Sequence, residues 1–140
     1  MKLFNNKYME LAILEAEKCL EEIPVGCVIV NNTTGEILAV AKNQMLNNND
    51  PTAHAEILAI QEACTKINNY RLEDTSIFIT LEPCKMCMEA IKLARITNVY
   101  FGAYSYKTES SHNPNVIGGF YEKECSEILN KFFQDKRETK

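Results

Sequence analysis

Two short stretches carry side chains able to do chemistry together, His54-Ala55-Glu56 and Pro83-Cys84-Lys85-Met86-Cys87. They supply one imidazole, two thiols and one carboxylate. Imidazole nitrogen and thiolate sulfur are donors that suit zinc. A structural zinc is closed by four protein donors, whereas a catalytic zinc keeps one position for water. His54, Cys84 and Cys87 make three donors. Glu56 adds a carboxylate that need not touch the metal, and such a set can activate a water, with Glu56 taking its proton. Cys84 and Cys87 are three apart, so a helix would put them on one face. His54 and Glu56 are two apart, so one can bind metal while the other points beside it into the site.

Other readings of the same residues stay open. A fourth donor from Cys27, Cys64, Cys125 or His112 would close the site and make the zinc structural. Cys84-x-x-Cys87 alone also fits a redox pair, but that leaves His54-Ala55-Glu56 without a purpose.

The elements that must hold these residues follow from periodicity. Tyr8, Leu11, Ala12, Ala16 and Cys19 recur at helical spacing from Phe4 to about Leu20, and Pro24 closes that segment. Val25 to Val30 and Glu36 to Ala41 read as strands joined by the turn cluster Asn31-Asn32-Thr33-Thr34-Gly35, a hairpin. Residues 47–51 form a loop, with Asp50 as the expected N-cap and Pro51 as the first residue of a helix to about Lys66. Ser76 to Leu81 is a third strand, Pro83 opens a helix through Ala94, and Asn98 to Gly102 is a fourth strand. Residues 104–119 show no period. Tyr121 to about Arg137 is an amphipathic helix, and its spacing puts at least one of Phe132 and Phe133 in the core. Both reactive pairs thus fall at helix starts, where the dipole favours thiolate. Strands alternating with helices predict one α/β sandwich, a mixed sheet with a leading hairpin, over residues 1–140 as a single domain.

Composition narrows the setting. The chain has 140 residues, 46% hydrophobic and 24% charged, with a net charge of −4. Residues 1–70 hold 5 Lys and Arg against 9 Asp and Glu, and residues 71–140 hold 10 against 10. That balance argues against a general nucleic-acid coat protein and leaves room for a local basic patch in the second half. No apolar run follows Met1-Lys2-Leu3-Phe4, so neither a signal peptide nor a membrane span is expected. Cys19, Cys27, Cys64 and Cys125 then read as small apolar residues of a cytoplasmic protein, not as disulfide partners.

With these residues placed, the chain resembles the cytidine deaminase-like superfamily, whose zinc members carry His-x-Glu and Pro-Cys-x-x-Cys. Within it, the chain is similar to the bacterial tRNA-specific adenosine deaminases. The strings that carry the likeness are Ile23-Pro24-Val25-Gly26, Asp50-Pro51-Thr52-Ala53-His54-Ala55-Glu56, Asn69-Tyr70-Arg71-Leu72, Thr80-Leu81-Glu82-Pro83-Cys84, Phe101-Gly102-Ala103 and Lys107-Thr108. The second string also resembles bacterial guanine deaminases. The resemblance implies a three-layer α/β/α sandwich around a five-stranded mixed sheet, assembled as a homodimer. It implies one zinc per subunit on His54, Cys84 and Cys87, with Glu56 as the proton shuttle. It further implies a base contact from Asn43 and a tRNA anticodon loop as partner, and the Ala55 N–H and the backbone around Glu82–Cys84 are further candidates to hold the base. The reaction implied is hydrolysis of the wobble adenosine to inosine. Read without the resemblance, Asn43 is a turn residue.

Two departures fall in the part that meets RNA in this family. Tyr104-Ser105 stand where relatives often carry Asp two residues after Phe-Gly-Ala, and the stretch from Thr108 to Cys125 is shorter. A deaminase of a free base or nucleoside, such as guanine, cytosine or cytidine, is the first alternative, and a non-catalytic zinc module is the second. Lys131, Lys136, Arg137 and Lys140 fit either phosphate contacts or a solvated helix face. His112 fits a solvent-exposed loop, while Arg71 and Glu82 fit either a layer behind the site or a dimer interface.

Overall fold

A computed structural model describes residues 6–105 and 115–138. The order is α1 (Asn6–Ala16), β1 (Gly26–Asn31), β2 (Ile37–Lys42), α2 (Met45–Asn48), α3 (Ala55–Ile67), β3 (Thr75–Leu81), α4 (Lys85–Leu93), β4 (Asn98–Ala103), β5 (Val116–Ile117) and α5 (Glu122–Glu138). The five strands form one mixed sheet in the order β2-β1-β3-β4-β5. β1 runs antiparallel to β2 and β3, while β4 runs parallel to β3 and β5. This is the expected α/β sandwich with its leading hairpin.

The sheet is covered on both faces, which explains why its central strands are apolar almost throughout. Along β1, Cys27 and Ile29 face one layer with Ala55, Ala59 and Ala63 of α3 and Ile91 of α4. Val28 and Val30 face the other layer with Tyr8, Met9 and Ala12 of α1 and Cys125 of α5. The alternation is the two-residue period of a strand. Gly26 lets α1 lie directly on β1: a Cβ there would stand 2.1 Å from the Ala12 carbonyl oxygen and 2.7 Å from the Ala16 nitrogen.

Several expected boundaries move. α1 ends at Ala16, and Glu17 to Cys19 continue only as turns, with Cys19 N–H donating to the Ala16 carbonyl at 3.0 Å. The stretch around residues 45–48, expected to lead into a loop, forms the short helix α2, stopped by Asn49 in the left-handed region at φ 49°. β5 lies in the segment without a period. Two residues are too few to show alternation, so only its neighbour β4 reveals it.

The largest correction concerns α3. Asp50 and Pro51 do not open it. Asp50 Oδ1 instead accepts the Thr52 N–H at 2.9 Å and the Thr52 hydroxyl at 2.7 Å, and Ala53 N–H closes the turn on the Asp50 carbonyl at 3.1 Å. Such local bonds compete with helix. The helix therefore starts at Ala55, with His54 as its N-cap. Neither aromatic of the Phe132-Phe133 pair is buried: the core contacts of α5 end at Leu129, and Phe133 is 43% exposed.

Candidate active site

The shift in α3 decides what His54 can do. Its backbone is extended, at φ −72° and ψ 152°, and its carbonyl accepts the first helical bond from Leu58 at 3.1 Å. Its side chain caps nothing. Cys84 repeats the arrangement at the start of α4, with φ −72°, ψ 174° and no side-chain capping bond, while its carbonyl accepts from Met88 at 2.9 Å. Two N-cap positions thus present side chains with no local partner to satisfy. Pro83, fully buried, fixes the chain entering α4.

The two helix starts meet. His54 Nδ1 lies 3.5 Å from Cys87 Sγ and 3.8 Å from Cys84 Sγ, and the three donor atoms lie within 4.8 Å of one another. Cys87 is buried, while His54 and Cys84 are half-buried. Among the described residues, no fourth His, Cys, Asp or Glu joins this group. Cys27, Cys64 and Cys125 stand apart from it as free thiols, and His112 lies outside the described residues, as do Lys107, Thr108 and Lys140.

Glu56 is in the first turn of α3 and 4% exposed. Burial pushes its carboxyl up to about 7, with hydrogen bonds from its own backbone and from Cys87 pulling partly back. Burial also pushes the Cys87 thiol up, helped by the neighbouring Glu56 and Cys84. One imidazole and two thiols within reach of one centre are a donor set suited to zinc.

Asn43 is no simple turn residue. It is buried, and its Oδ1 accepts the Ala55 N–H at 2.8 Å while its Nδ2 donates to the Ile23 carbonyl at 3.0 Å. The Ala55 N–H, expected as a contact to the base, is bonded to Asn43. Beneath it the Cys27 thiol donates to the Ala55 carbonyl at 3.2 Å. Sequence reading assigned Cys27 to the core and missed this support. The partners are 28 positions apart, and only the sheet brings them together.

The remaining candidates separate. Glu82 Oε1 accepts the Ser105 N–H at 2.9 Å and so ties the end of β4 to the strand end that leads into Cys84. Arg71 pairs with exposed Glu73 at 3.3 Å. Lys136 pairs with Glu21 at 3.4 Å, which turns the end of α5 toward the segment before β1.

The sequence profile of the cytidine and deoxycytidylate deaminase zinc-binding region matches residues 3–103. A tRNA-specific adenosine deaminase of Haemophilus influenzae is 40% identical over 152 residues, covering 98% of this chain and 87% of that protein. The chain belongs to the tRNA-specific adenosine deaminase family. The deaminase fold is likewise that of its relatives. A structure solved in work on A-to-I editing by tRNA:A34 deaminases is 38% identical, with a TM-score of 0.82, and covers 89% of this chain and 100% of that one. A guanine deaminase of Bacillus subtilis is 35% identical with a TM-score of 0.68, but it covers 73% of this deaminase and 66% of its own chain. No helix among the described residues is long and apolar enough to cross a membrane.

Proposed function

We propose that this protein hydrolyses the wobble adenosine of a tRNA anticodon to inosine, as a cytoplasmic homodimer with one zinc per subunit. The observation that carries the reading is the group of three donors, His54, Cys84 and Cys87, with the buried Glu56 beside it and no fourth protein donor among the described residues. Bound there, zinc acidifies a water toward a pKa of about 7 and so supplies the nucleophile at neutral pH.

The protein's own groups do the rest. Glu56 takes the proton from the attacking water and passes it to the ring nitrogen next to C6. Attack makes C6 tetrahedral. Glu56, a carboxylate again, takes the proton of the new C6 hydroxyl and delivers it to the amino group; the C6–N bond breaks, the C6 carbonyl forms, and ammonia leaves. Water and adenosine are consumed and inosine and ammonia are formed, with no redox change. A carboxyl with affinity near neutral pH suits both halves of this exchange. Asn43 spends one amide hydrogen on Ile23, and the other is available to the purine edge. The Asn43–Ala55 pair then positions the base against the donor group. An anticodon-loop nucleotide costs little to unstack, so its base can leave the loop to reach the donor group.

The likeness to a guanine deaminase favours a second reading, a free purine base as substrate, over a smaller share of the chain. The first reading is tested by elemental analysis combined with an anticodon stem-loop bearing wobble adenosine. One zinc per chain and inosine at the wobble position are expected. Zinc-loaded protein that leaves every adenosine of the stem-loop intact contradicts it.

A further inference from the structure

The two helix starts that carry the donor group are also tied to each other through the sheet. Thr80 stands on β3, shortly before Cys84, and is 2% exposed. The register of β1 with β3 runs from Asn31 opposite Thr75 to Cys27 opposite Ile79 and ends there, while β3 stays with β4 as far as Leu81 opposite Ala103. The Thr80 side chain spans the place where β3 parts from β1: its hydroxyl accepts the Gly26 N–H at 3.1 Å. That N–H belongs to the Val25–Gly26 peptide. The carbonyl of the same peptide accepts the Asn43 N–H at 3.0 Å, and Asn43 Oδ1 accepts the Ala55 N–H at 2.8 Å. A path of hydrogen bonds thus leads from the strand before Cys84 to the residue between His54 and Glu56.

The last bond of the path replaces a missing one. The first N–H groups of a helix have no partner within it, and the N-cap side chain ordinarily supplies an acceptor. His54, the N-cap of α3, caps nothing. Asn43 brings the acceptor from outside the helix and leaves the imidazole for a metal. A cap from another segment is only as well placed as that segment. Asn43 directly follows β2, which is an edge strand of the sheet and is separated from β3 by β1. Its placement against Cys84 therefore depends on how the start of β1 is held, and Thr80 holds it.

We propose that Thr80 is a positioning residue of the metal site: its hydroxyl fixes the Val25–Gly26 peptide and, through Asn43, sets His54 against Cys84 and Cys87. The proposal rests on the metal site of the proposed function and not on the choice of RNA as substrate. Without the hydroxyl, the Gly26 N–H is left buried with no acceptor, which drives the peptide to turn. Asn43 turns with it, and the start of α3 loses its cap or follows.

The test needs no RNA. Protein stripped of metal is titrated with Co²⁺, whose visible bands report thiolate ligation and geometry, and Zn²⁺ competition gives the affinity. Thr80→Val keeps the shape and removes the acceptor. It is expected to bind Zn²⁺ about ten- to a hundredfold more weakly, with altered Co²⁺ bands. Thr80→Ser keeps the acceptor and should restore both. Ser76→Ala removes bonds to Asn32 and Asn98 elsewhere on β3, so it shows what lost sheet contacts alone do, and it should leave affinity and bands unchanged. Asn43→Ala cuts the path at its other end. The double variant Thr80→Val/Asn43→Ala should lose no more affinity than Asn43→Ala alone, because residues on one path are not additive.

Thr80→Val that binds Zn²⁺ like the parent, with the same Co²⁺ bands, overturns the proposal. So does Ser76→Ala if it loses as much affinity, and so do losses that multiply in the double variant. Should Thr80→Val not fold, Thr80→Ala removes the same acceptor and takes its place. If neither folds while Thr80→Ser does, the hydroxyl serves the sheet and the proposal falls. A parent that binds neither metal removes the metal site itself, and Thr80's role with it.

Discussion

Glu56 does the proton work in this account without binding metal. Glu56→Ala should therefore keep its zinc and lose about 10²–10⁴-fold in turnover. Metal analysis beside a rate measurement checks this, and a fully active variant contradicts the shuttle. The same residue gives a pH signature in protein stripped of metal by a chelator. There its carboxyl holds a proton up to about 7, against an ordinary value of 4.5. Between those values the folded chain binds the extra proton, so stability falls as pH rises from about 4.5 to about 7 and levels off above. The whole fall is about 3 kcal/mol. Glu56→Gln should abolish it. Urea titrations of both stripped proteins at pH 5 and pH 7.5 read the difference, and equal pH dependence sinks the assignment. At this scale the sequence was highly legible, because each pair is contiguous and its donor types are chemically narrow. Asn43 and Cys27 were not legible as supports. Their partner, Ala55, is brought to them by the β1–β2 hairpin and the packing of α3, not by local spacing.

The helix starts matter more than the helices themselves. His54 and Cys84 project from two N-cap positions, and those positions are fixed by local bonds: the Asp50–Thr52 turn before α3 and the buried Pro83 before α4. Sequence reading placed both pairs near helix starts but opened α3 at Pro51, because Asp-Pro is a strong start signal on its own. The side-chain bonds of Asp50 to Thr52 override it. β5 left no trace for a different reason, since two residues carry no period. Gly26 joins α1 to the sheet at a point with no room for a side chain. Gly26→Ala should destabilise the protein by about 1–3 kcal/mol as α1 is pushed off β1. Denaturant unfolding measures it, and an unchanged midpoint contradicts the close packing of α1.

Across the whole molecule, one sheet carries an α1/α5 layer on one face and an α3/α4 layer on the other, and the donors come from the α3/α4 side. Bound metal stabilises the folded form by mass action. Removing zinc should lower the melting temperature by on the order of 10 °C, and scans with and without chelator test that. Net charge of −4 gives no long-range attraction to RNA, so recognition must rest on local contacts around the site. The sequence showed the layers and the charge balance plainly, but not which surface meets the RNA. The choice of substrate is read directly by one experiment. Purified zinc-loaded protein is incubated in parallel with an anticodon stem-loop bearing wobble adenosine, and with free guanine, cytosine and cytidine. Inosine at the wobble position and no ammonia from the small molecules are expected. Ammonia from a free base or nucleoside, with the stem-loop left unchanged, would contradict it.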